Sequence, residues 1–189
     1  MAILFERSIR YRDLEYQVVA ELDDAAIMNN ELRLTVQAAV RKLPDGPSVK
    51  ETLELAVDVE RSLVEIRREG GKVIATIPLT LPLPDSTDFA GNDIDVAADD
   101  RIFEDALGTS AAEELIHLIP TDPFLGCIVK GAVSTVVGQT IRCWRMTARD
   151  APLNQRVRDI AGCLREYGLR MALTFMYRAG RCSLMGGVG

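Results

Sequence analysis

Apolar and polar residues alternate along the N-terminal half of the chain. Apolar side chains occupy every second position in three runs, over residues 14–22, 32–40 and 53–59, and Val19 is an exception in the first run. Because successive side chains on a β-strand point to opposite faces, this alternation predicts strands with one covered and one solvated face. In the second run, the side chains predicted to face the core are Leu34, Val36 and Val40, and those predicted to face outward are Arg33, Thr35 and Arg41.

Turn sequences separate these runs. Pro44-Asp45-Gly46-Pro47 follows the second run, and Glu69-Gly70-Gly71 is predicted to join about 62–68 to 72–79 as a hairpin, since glycine adopts positive φ readily. Prolines from Pro78 onward end the region, because proline donates no hydrogen bond to a sheet. Residues 1–82 are therefore predicted to form an antiparallel β-meander of four or five strands.

The C-terminal half, residues 109–189, has the features of helices. Ser110 to Glu113 is a capping box that opens a short helix, and Asp122-Pro123 is a helix start before the apolar segment 123–147. That segment is rich in β-branched residues, and Gly138-Gln139 also allows a hairpin between two strands. Helix is the favoured prediction.

The same segment raises the possibility of a membrane span. Residues 124–141 contain a single charge, that of Lys130. Lys130, Gln139 and several serines and threonines make a lipid environment costly, and no flanking spans occur. The sequence therefore predicts a buried central helix and no membrane span.

A last helix is predicted from about residue 153 to 179. Its seam of small and apolar residues has the alternating spacing of a close helix pair: Val157, Ala161, Leu164, Gly168, Met171 and Phe175. Further apolar residues, among them Leu173 and Met176, lie off that seam. One sheet and one partner helix leave part of such a surface uncovered, so the sequence predicts self-association through the C-terminal helices, with another protein subunit as an alternative partner.

These elements define a single α+β domain over residues 1–189. It consists of the β-sheet half (1–82), an acidic connector (83–108), and a helical half (109–189) with two long helices and a short one. The chain has 189 residues and is 48% apolar and 26% charged, as is usual for a folded globular protein.

Charge is distributed unevenly along the chain. The formal net charge of −6 argues against general nucleic-acid binding, but residues 83–122 carry −10 and residues 123–189 carry +7. We therefore expect the acidic and basic parts to meet. The aspartates predicted to lie within salt-bridge reach of C-terminal arginines include some of Asp93, Asp95, Asp99 and Asp100.

No pattern indicates a metal or a cofactor. The acidic loop has its Gly91 before the aspartates and no glutamate in the closing position, so it fits a calcium loop poorly. Phosphate-binding loops, dinucleotide-binding loops and nucleophile elbows are absent from the sequence, and the chain has a single histidine. The sequence predicts neither a metal site nor a cofactor.

The four cysteines, Cys127, Cys143, Cys163 and Cys182, contain no C-x-x-C pair. If 123–147 is a helix, Cys127 and Cys143 are about 24 Å apart and cannot bond to each other. The simplest expectation is four reduced thiols in a cytoplasmic protein, packed as small apolar side chains.

Cys127 and His117 are the weak candidates for catalysis. Cys127 lies near a helix start, which lowers the pKa of a thiol, and His117 is a possible base ten residues earlier. Both residues have apolar neighbours in sequence, and packing explains them better. An enzyme is therefore less favoured than a non-enzymatic protein.

A cationic patch around the single tryptophan is the candidate ligand site. Arg142, Trp144, Arg145 and Arg149 combine guanidinium groups with one stacking surface, which suits an anion. Two function hypotheses follow. The favoured one is a self-associating structural or accessory subunit. The alternative is an anionic-ligand binding protein or small enzyme, with a site between sheet and helices lined by Arg142, Arg145 and Cys127.

Overall fold

Six strands form one antiparallel sheet in which neighbours in the sheet are neighbours in the chain. The structure is a computed structural model that describes residues 1–68, 71–83, 99–108 and 122–186, with side chains as far as Leu184. The strands are β1 (Ala2–Tyr11), β2 (Leu14–Leu22), β3 (Leu32–Lys42), β4 (Ser48–Asp58), β5 (Leu63–Arg68) and β6 (Val73–Pro78). The predicted α+β class and meander are confirmed, with six strands in place of four or five.

The additional strand is β1, whose alternation is broken. The register of β1 against β2 shifts between Ile3 and Phe5, so Leu4 and Phe5 are adjacent and both buried. Arg7 pairs with Val18 and so lies on the core side of an edge strand, where it is half-buried. A bulge and an inward arginine hide the period of two on which strand prediction depends.

The register of the central strands confirms the predicted faces. Val36 lies between Ala20 on β2 and Leu53 on β4, and all three are buried in the core. On the opposite face, Glu15 pairs with Arg41, and their side chains form a salt bridge of 2.7 Å. The sheet therefore has one apolar face and one polar face.

Both predicted turns join strands. Gly46 Nα donates to Lys42 O over 2.7 Å in the β3–β4 connection, and a Cβ at Gly46 would lie 2.7 Å from Lys42 Cβ. Gly71 has φ of +94° in the β5–β6 connection. Glycine is required at the first position by close approach and at the second by its backbone conformation.

Helices cover the apolar face of the sheet. They are α1 (Asp24–Met28), α2 (99–108), α3 (Pro123–Met146), α4 (Leu153–Glu166) and α5 (Gly168–Gly186). Helix α3 packs against β2, β3, α4 and α5, while α5 packs against β1. One continuous core draws its residues from both halves of the chain.

Helix α3 confirms the favoured prediction for 123–147. Asp122 caps it by accepting from Leu125 N at 3.0 Å, and Pro123 stands at its start. The helix is long and apolar enough to cross a membrane, but 89% of its apolar window is buried by the rest of the chain. Burial of this kind is typical of a core helix.

The predicted helix of 153–179 is interrupted once. It consists of α4 and α5, which are separated at Tyr167. A Cβ at Gly168 would lie 2.6 Å from Leu4 O, so the β1 backbone approaches the chain where α5 begins. The predicted seam is nevertheless confirmed as buried on both helices.

Residues 99–108 of the predicted acidic connector are helical, which is a correction. Phe103 and Leu107 lie four residues apart and are buried, so α2 presents one apolar side to the core. The high proportion of aspartates before it obscured this short pattern. The predicted capping box from Ser110 to Glu113 lies outside the described residues, as does the Asp93-Ile94-Asp95 spacing, for which calcium binding was not favoured.

The expectation of four reduced thiols is wrong. Cys127 is bonded to Cys182, and Cys143 to Cys163. Cys127 and Cys143 are not bonded to each other, as the helix geometry required. The two bridges tie α3 to α5 and α3 to α4. This pairing depends on how the three helices lie side by side, which spacing along the chain does not show.

Candidate functional site

The cationic residues predicted around Trp144 contact other parts of the protein. Arg142 Nη2 lies 2.7 Å from Asp99 Oδ2 in a sheltered salt bridge. Arg145 donates to the backbone carbonyls of Leu83, at 2.7 Å, and Leu81. These two arginines hold α2 and the segment after β6 against α3.

Trp144 and Arg149 are brought together at the end of α3. The guanidinium carbon of Arg149 lies 5.1 Å from the centre of the Trp144 ring, which is itself buried. Cys127 lies 15 residues before Arg142 on the same helix, a distance of about 22 Å. The structure therefore places Cys127 far from Arg142 and Arg145.

The predicted catalytic pair of Cys127 and His117 lacks a free thiol. The sulfur of Cys127 is bonded to Cys182. His117 lies outside the described residues. Cys127 instead contributes a disulfide to the wall of a cleft on the helical side of the molecule.

An ionic network joins α2 to the long helices. Asp100 accepts from Arg178 Nε at 2.8 Å and from Arg181 Nη1 at 3.2 Å, while Glu104 accepts from Lys130 Nζ. With Asp99 and Arg142, these contacts confirm the prediction that acidic and basic parts of the chain meet. Asp93 and Asp95, named in the same prediction, lie outside the described residues.

A cleft of about 370 Å³ lies between α2, α3 and α5, and we call it the helical cleft. Five charged side chains of the described residues line it: Lys130, Arg178, Arg181, Asp100 and Glu104. The remaining lining residues are mostly small or apolar: Pro123, Phe124, Cys127, Gly131, Ser134 and Cys182. The helical cleft therefore combines a charged cluster with an apolar wall.

Arg178 is the most enclosed charge of the helical cleft. Its side chain is 7% exposed, and its Nη1 donates to Thr135 Oγ1 over 2.7 Å. A Cβ at Gly131 would lie 3.2 Å from Arg178 Cβ, so the glycine leaves room for the arginine stem against α3. The guanidinium is thus held in place by α2 and α3 together.

Aromatic rings support the apolar wall. The Phe124 ring stacks on Tyr11 with centroids 4.4 Å apart and lies 4.7 Å from Tyr16. Tyr16 donates its hydroxyl to Asp122 Oδ2 at 2.9 Å. Burial first, and then this hydrogen bond, raise the pKa of Tyr16 well above its ordinary value. Tyr16 is therefore a neutral hydrogen-bond donor that fixes the start of α3.

A second surface lies on α5, and we call it the α5 stripe. It consists of Leu169, Leu173, Met176, Gly180 and Leu184, which are spaced by four, three, four and four residues. The four large side chains are 69%, 50%, 37% and 75% exposed, respectively. Arg181 is the remaining exposed residue of α5 up to Leu184. The exposed side of a surface helix is normally polar, so this apolar side indicates an interaction surface.

Comparisons with protein-family profiles, with curated proteins and with solved structures find no match for this chain. The fold defines its class as an α+β protein with helices on one face of a meander. Functional proposals therefore depend on the helical cleft and the α5 stripe themselves.

Of the residues that line the helical cleft, Cys127 and Asp100 were named from the sequence, but nothing in the sequence placed them in one site. Lys130 and Arg178 stand 48 residues apart and belong to different helices. The strong positive charge of 123–189 was a signal that this region meets acids. It did not indicate which cations share a concave surface, because that depends on helix packing.

Proposed function

We propose that this protein is a non-enzymatic structural or accessory subunit that associates with a second copy of itself through the α5 stripe. The observation that supports the proposal is the exposed apolar side of α5. Fully burying one leucine contributes about 1.5–3 kcal/mol, so covering this surface favours association. The other exposed large apolar side chains of the described residues form no helical row: Met1, Ile3, Met28, Val49, Val73 and Met146.

The order of residues in the α5 stripe suits a copy of the same helix running in the opposite direction. If the twofold axis lies between Met176 and Tyr177, Leu169 faces Leu184 of the second copy. Leu173 then faces Gly180, so a large side chain meets a position without one. Alternating large and small residues across an interface allow close packing, and a twofold pair requires such self-complementarity.

Light scattering coupled to size exclusion tests the proposal. The protein should have a mass of about twice 20.8 kDa, and Leu173→Glu should halve it by placing a charge in the interface. Met28→Glu is the control, because Met28 is 79% exposed on α1, outside the α5 stripe. A parent protein that stays monomeric as its concentration is raised, or a dimeric Leu173→Glu variant, contradicts the proposal.

Gly180→Leu distinguishes a helix pair from other uses of the α5 stripe. Apart from its chain neighbours and the adjacent backbone of α5, no described residue has an atom within 4 Å of a Cβ built at Gly180, so the described protomer has room for the substitution. Leucine also favours helix over glycine by about 0.8–1 kcal/mol. The variant should keep its fold and lose the dimer, whereas adsorption of α5 to a lipid surface would become stronger with the added leucine.

The alternative, an anionic-ligand site lined by Arg142, Arg145 and Cys127, has less support. Arg142 and Arg145 contact Asp99 and backbone carbonyls, and Cys127 lies about 22 Å away along α3. We keep it as the second proposal. Binding of an anion that is lost equally in Arg142→Gln and Arg145→Gln variants would support it.

A cytoplasmic location stays a prediction, although the reduced thiols that favoured it are absent, since all four cysteines are bonded. Two disulfides favour an oxidising compartment, because cytosolic thiols are usually kept reduced. The location proposal is tested by alkylating thiols in intact cells before lysis. Alkylation of all four cysteines would support a cytoplasmic location. Alkylation of no cysteine would support an oxidising compartment.

A further inference from the structure

The charges of the helical cleft do not cancel. Among the residues that the structure describes, Lys130, Arg178 and Arg181 stand against the carboxylates of Asp100 and Glu104, which leaves one net positive charge on this part of the lining. All three cations lie beside α2, where Lys130 pairs with Glu104 and both arginines share Asp100. An incoming group with a single negative charge would complete the neutralisation of this cluster.

The three cations of the helical cleft also have N–H donors that no described residue accepts. Lysine has three N–H donors and each arginine has five. The described residues occupy four of the thirteen that Lys130, Arg178 and Arg181 provide. A carboxylate accepts several N–H bonds at once, and such charge-assisted bonds are the stronger kind.

The rest of the helical cleft favours an apolar body. Phe124 and Pro123 lie at the start of α3, and the Cys127–Cys182 bridge lies between them and the charged cluster along the same helix. The volume of the helical cleft is about 370 Å³. This size falls at the lower end of the range for small-molecule sites.

We propose that the helical cleft binds a small amphipathic monocarboxylate. The carboxylate lies with Lys130, Arg178 and Arg181, and a compact apolar body lies against Phe124 and the Cys127–Cys182 disulfide. The site uses different residues from the α5 stripe, so it is independent of the proposed self-association. It also differs from the patch around Trp144, where Arg142 contacts Asp99 and Arg145 contacts backbone carbonyls.

Calorimetric titration with 3-phenylpropionate tests this proposal. The probe has one carboxylate and one compact ring, and 3-phenylpropionamide has the same shape without the charge. The acid should bind saturably and about tenfold more tightly than the amide, as expected for loss of a charge-assisted bond. Inorganic phosphate, which lacks an apolar body, should bind more weakly than the acid.

Two variants locate the binding. Lys130→Gln and Arg181→Gln each remove one cation from the helical cleft, and each should weaken 3-phenylpropionate binding about five- to tenfold. Arg165→Gln is the matched control, since Arg165 is 48% exposed against 46% for Arg181 and pairs with Asp24 instead. The control should leave the affinity unchanged. Circular dichroism and thermal melting show whether each variant is folded.

Several results would overturn the proposal. These are the absence of saturable binding by the parent protein, equal affinity for acid and amide, and equal losses in Arg165→Gln and Arg181→Gln. Equal affinity for phosphate and 3-phenylpropionate would overturn it as well. Leu173→Glu should retain the parent affinity, which separates failure of this proposal from failure of the proposed self-association.

Discussion

At the scale of single residues, neighbouring positions on β3 have very different environments. Val36 is 1% exposed and lies on the apolar face, whereas Gln37 lies on the polar face between Val19 and Thr52. Val36→Asp buries a carboxylate without a partner and should cost more than about 4 kcal/mol. Gln37→Asp should cost about 1 kcal/mol, the span of strand propensities.

Urea unfolding measures both changes. Thr35 also lies on the polar face, but it pairs with Glu21 and Glu54, which would repel an aspartate. Gln37 has no acidic partner in either strand and is therefore the comparison used. Equal destabilisation by Val36→Asp and Gln37→Asp would contradict the assignment of faces on β3.

Tyr16 makes the stability of the protein sensitive to alkaline pH. Its folded-state pKa is raised, so its contribution to the free energy of unfolding is complete below about pH 10, the unfolded value. The contribution is lost as pH rises above that value toward the folded pKa. Tyr16→Phe should cost about 1.5–3 kcal/mol at neutral pH through loss of the bond to Asp122.

The measurement is the unfolding free energy of parent and variant between pH 7 and about pH 11. The difference between the two proteins should shrink above about pH 10, because the variant has no phenol to ionise at this position. A difference that stays constant over this range would show that Tyr16 titrates normally in the folded protein.

At the scale of elements, two acidic residues hold α2 against the long helices, and they differ in how far their ion pairs are exposed to solvent. Asp100 contacts the enclosed Arg178, whereas the side chain of Glu104 is 49% exposed. Asp100→Asn should cost about 3–5 kcal/mol, since it leaves an enclosed cation without its carboxylate. Glu104→Gln should cost about 0–1 kcal/mol, as for exposed pairs.

Urea unfolding at low and high salt separates the two contacts. The cost of Asp100→Asn should persist at high salt, because sheltered pairs are screened less than exposed ones. If salt removed that cost, the Asp100 contact would be an exposed one in solution.

Elements with local patterns were predicted well. The strands from β2 to β6 and helix α3 have alternation, turns or caps within their own sequences. The break between α4 and α5 lies where Gly168 meets the backbone at Leu4, and the two residues stand at distant points of the chain. A contact between distant residues produces no periodic pattern in the sequence, and the glycine is its one local sign.

At the scale of the whole molecule, the disulfides join the three long helices. The bonded cysteines are 55 residues apart in one bridge and 20 in the other. Closing loops of these lengths contributes about 3–4 kcal/mol each in the chain-entropy account. Reduction should therefore lower the melting temperature strongly, and Cys127→Ala with Cys182→Ala should lower it more than Cys143→Ala with Cys163→Ala if loop length dominates.

Thiol titration of the unfolded, unreduced protein checks the bridges directly. It should find no free thiol before reduction and four afterwards, since all four cysteines are bonded. Melting of the parent protein with and without reductant then measures their combined effect. Four thiols before reduction would contradict both bridges.

The candidate site was predictable only in outline. The charge distribution indicated that acids of the connector meet C-terminal arginines, and Asp99 with Arg142 bears this out. Excess apolar surface on the last helix likewise agrees with the exposed α5 stripe. Neither property identified the cleft lined by Lys130 and Arg178.

The sequence by itself determined the antiparallel meander, the start of α3 and the buried seam of α4 and α5. Each of these follows from interactions between residues close in the chain, such as alternation, capping and helical spacing. Tertiary structure alone decided the bulged β1, the pairing of cysteines and the residues of the helical cleft. These depend on how distant segments lie side by side, because bond formation and enclosure require proximity in space that local periodicity does not encode.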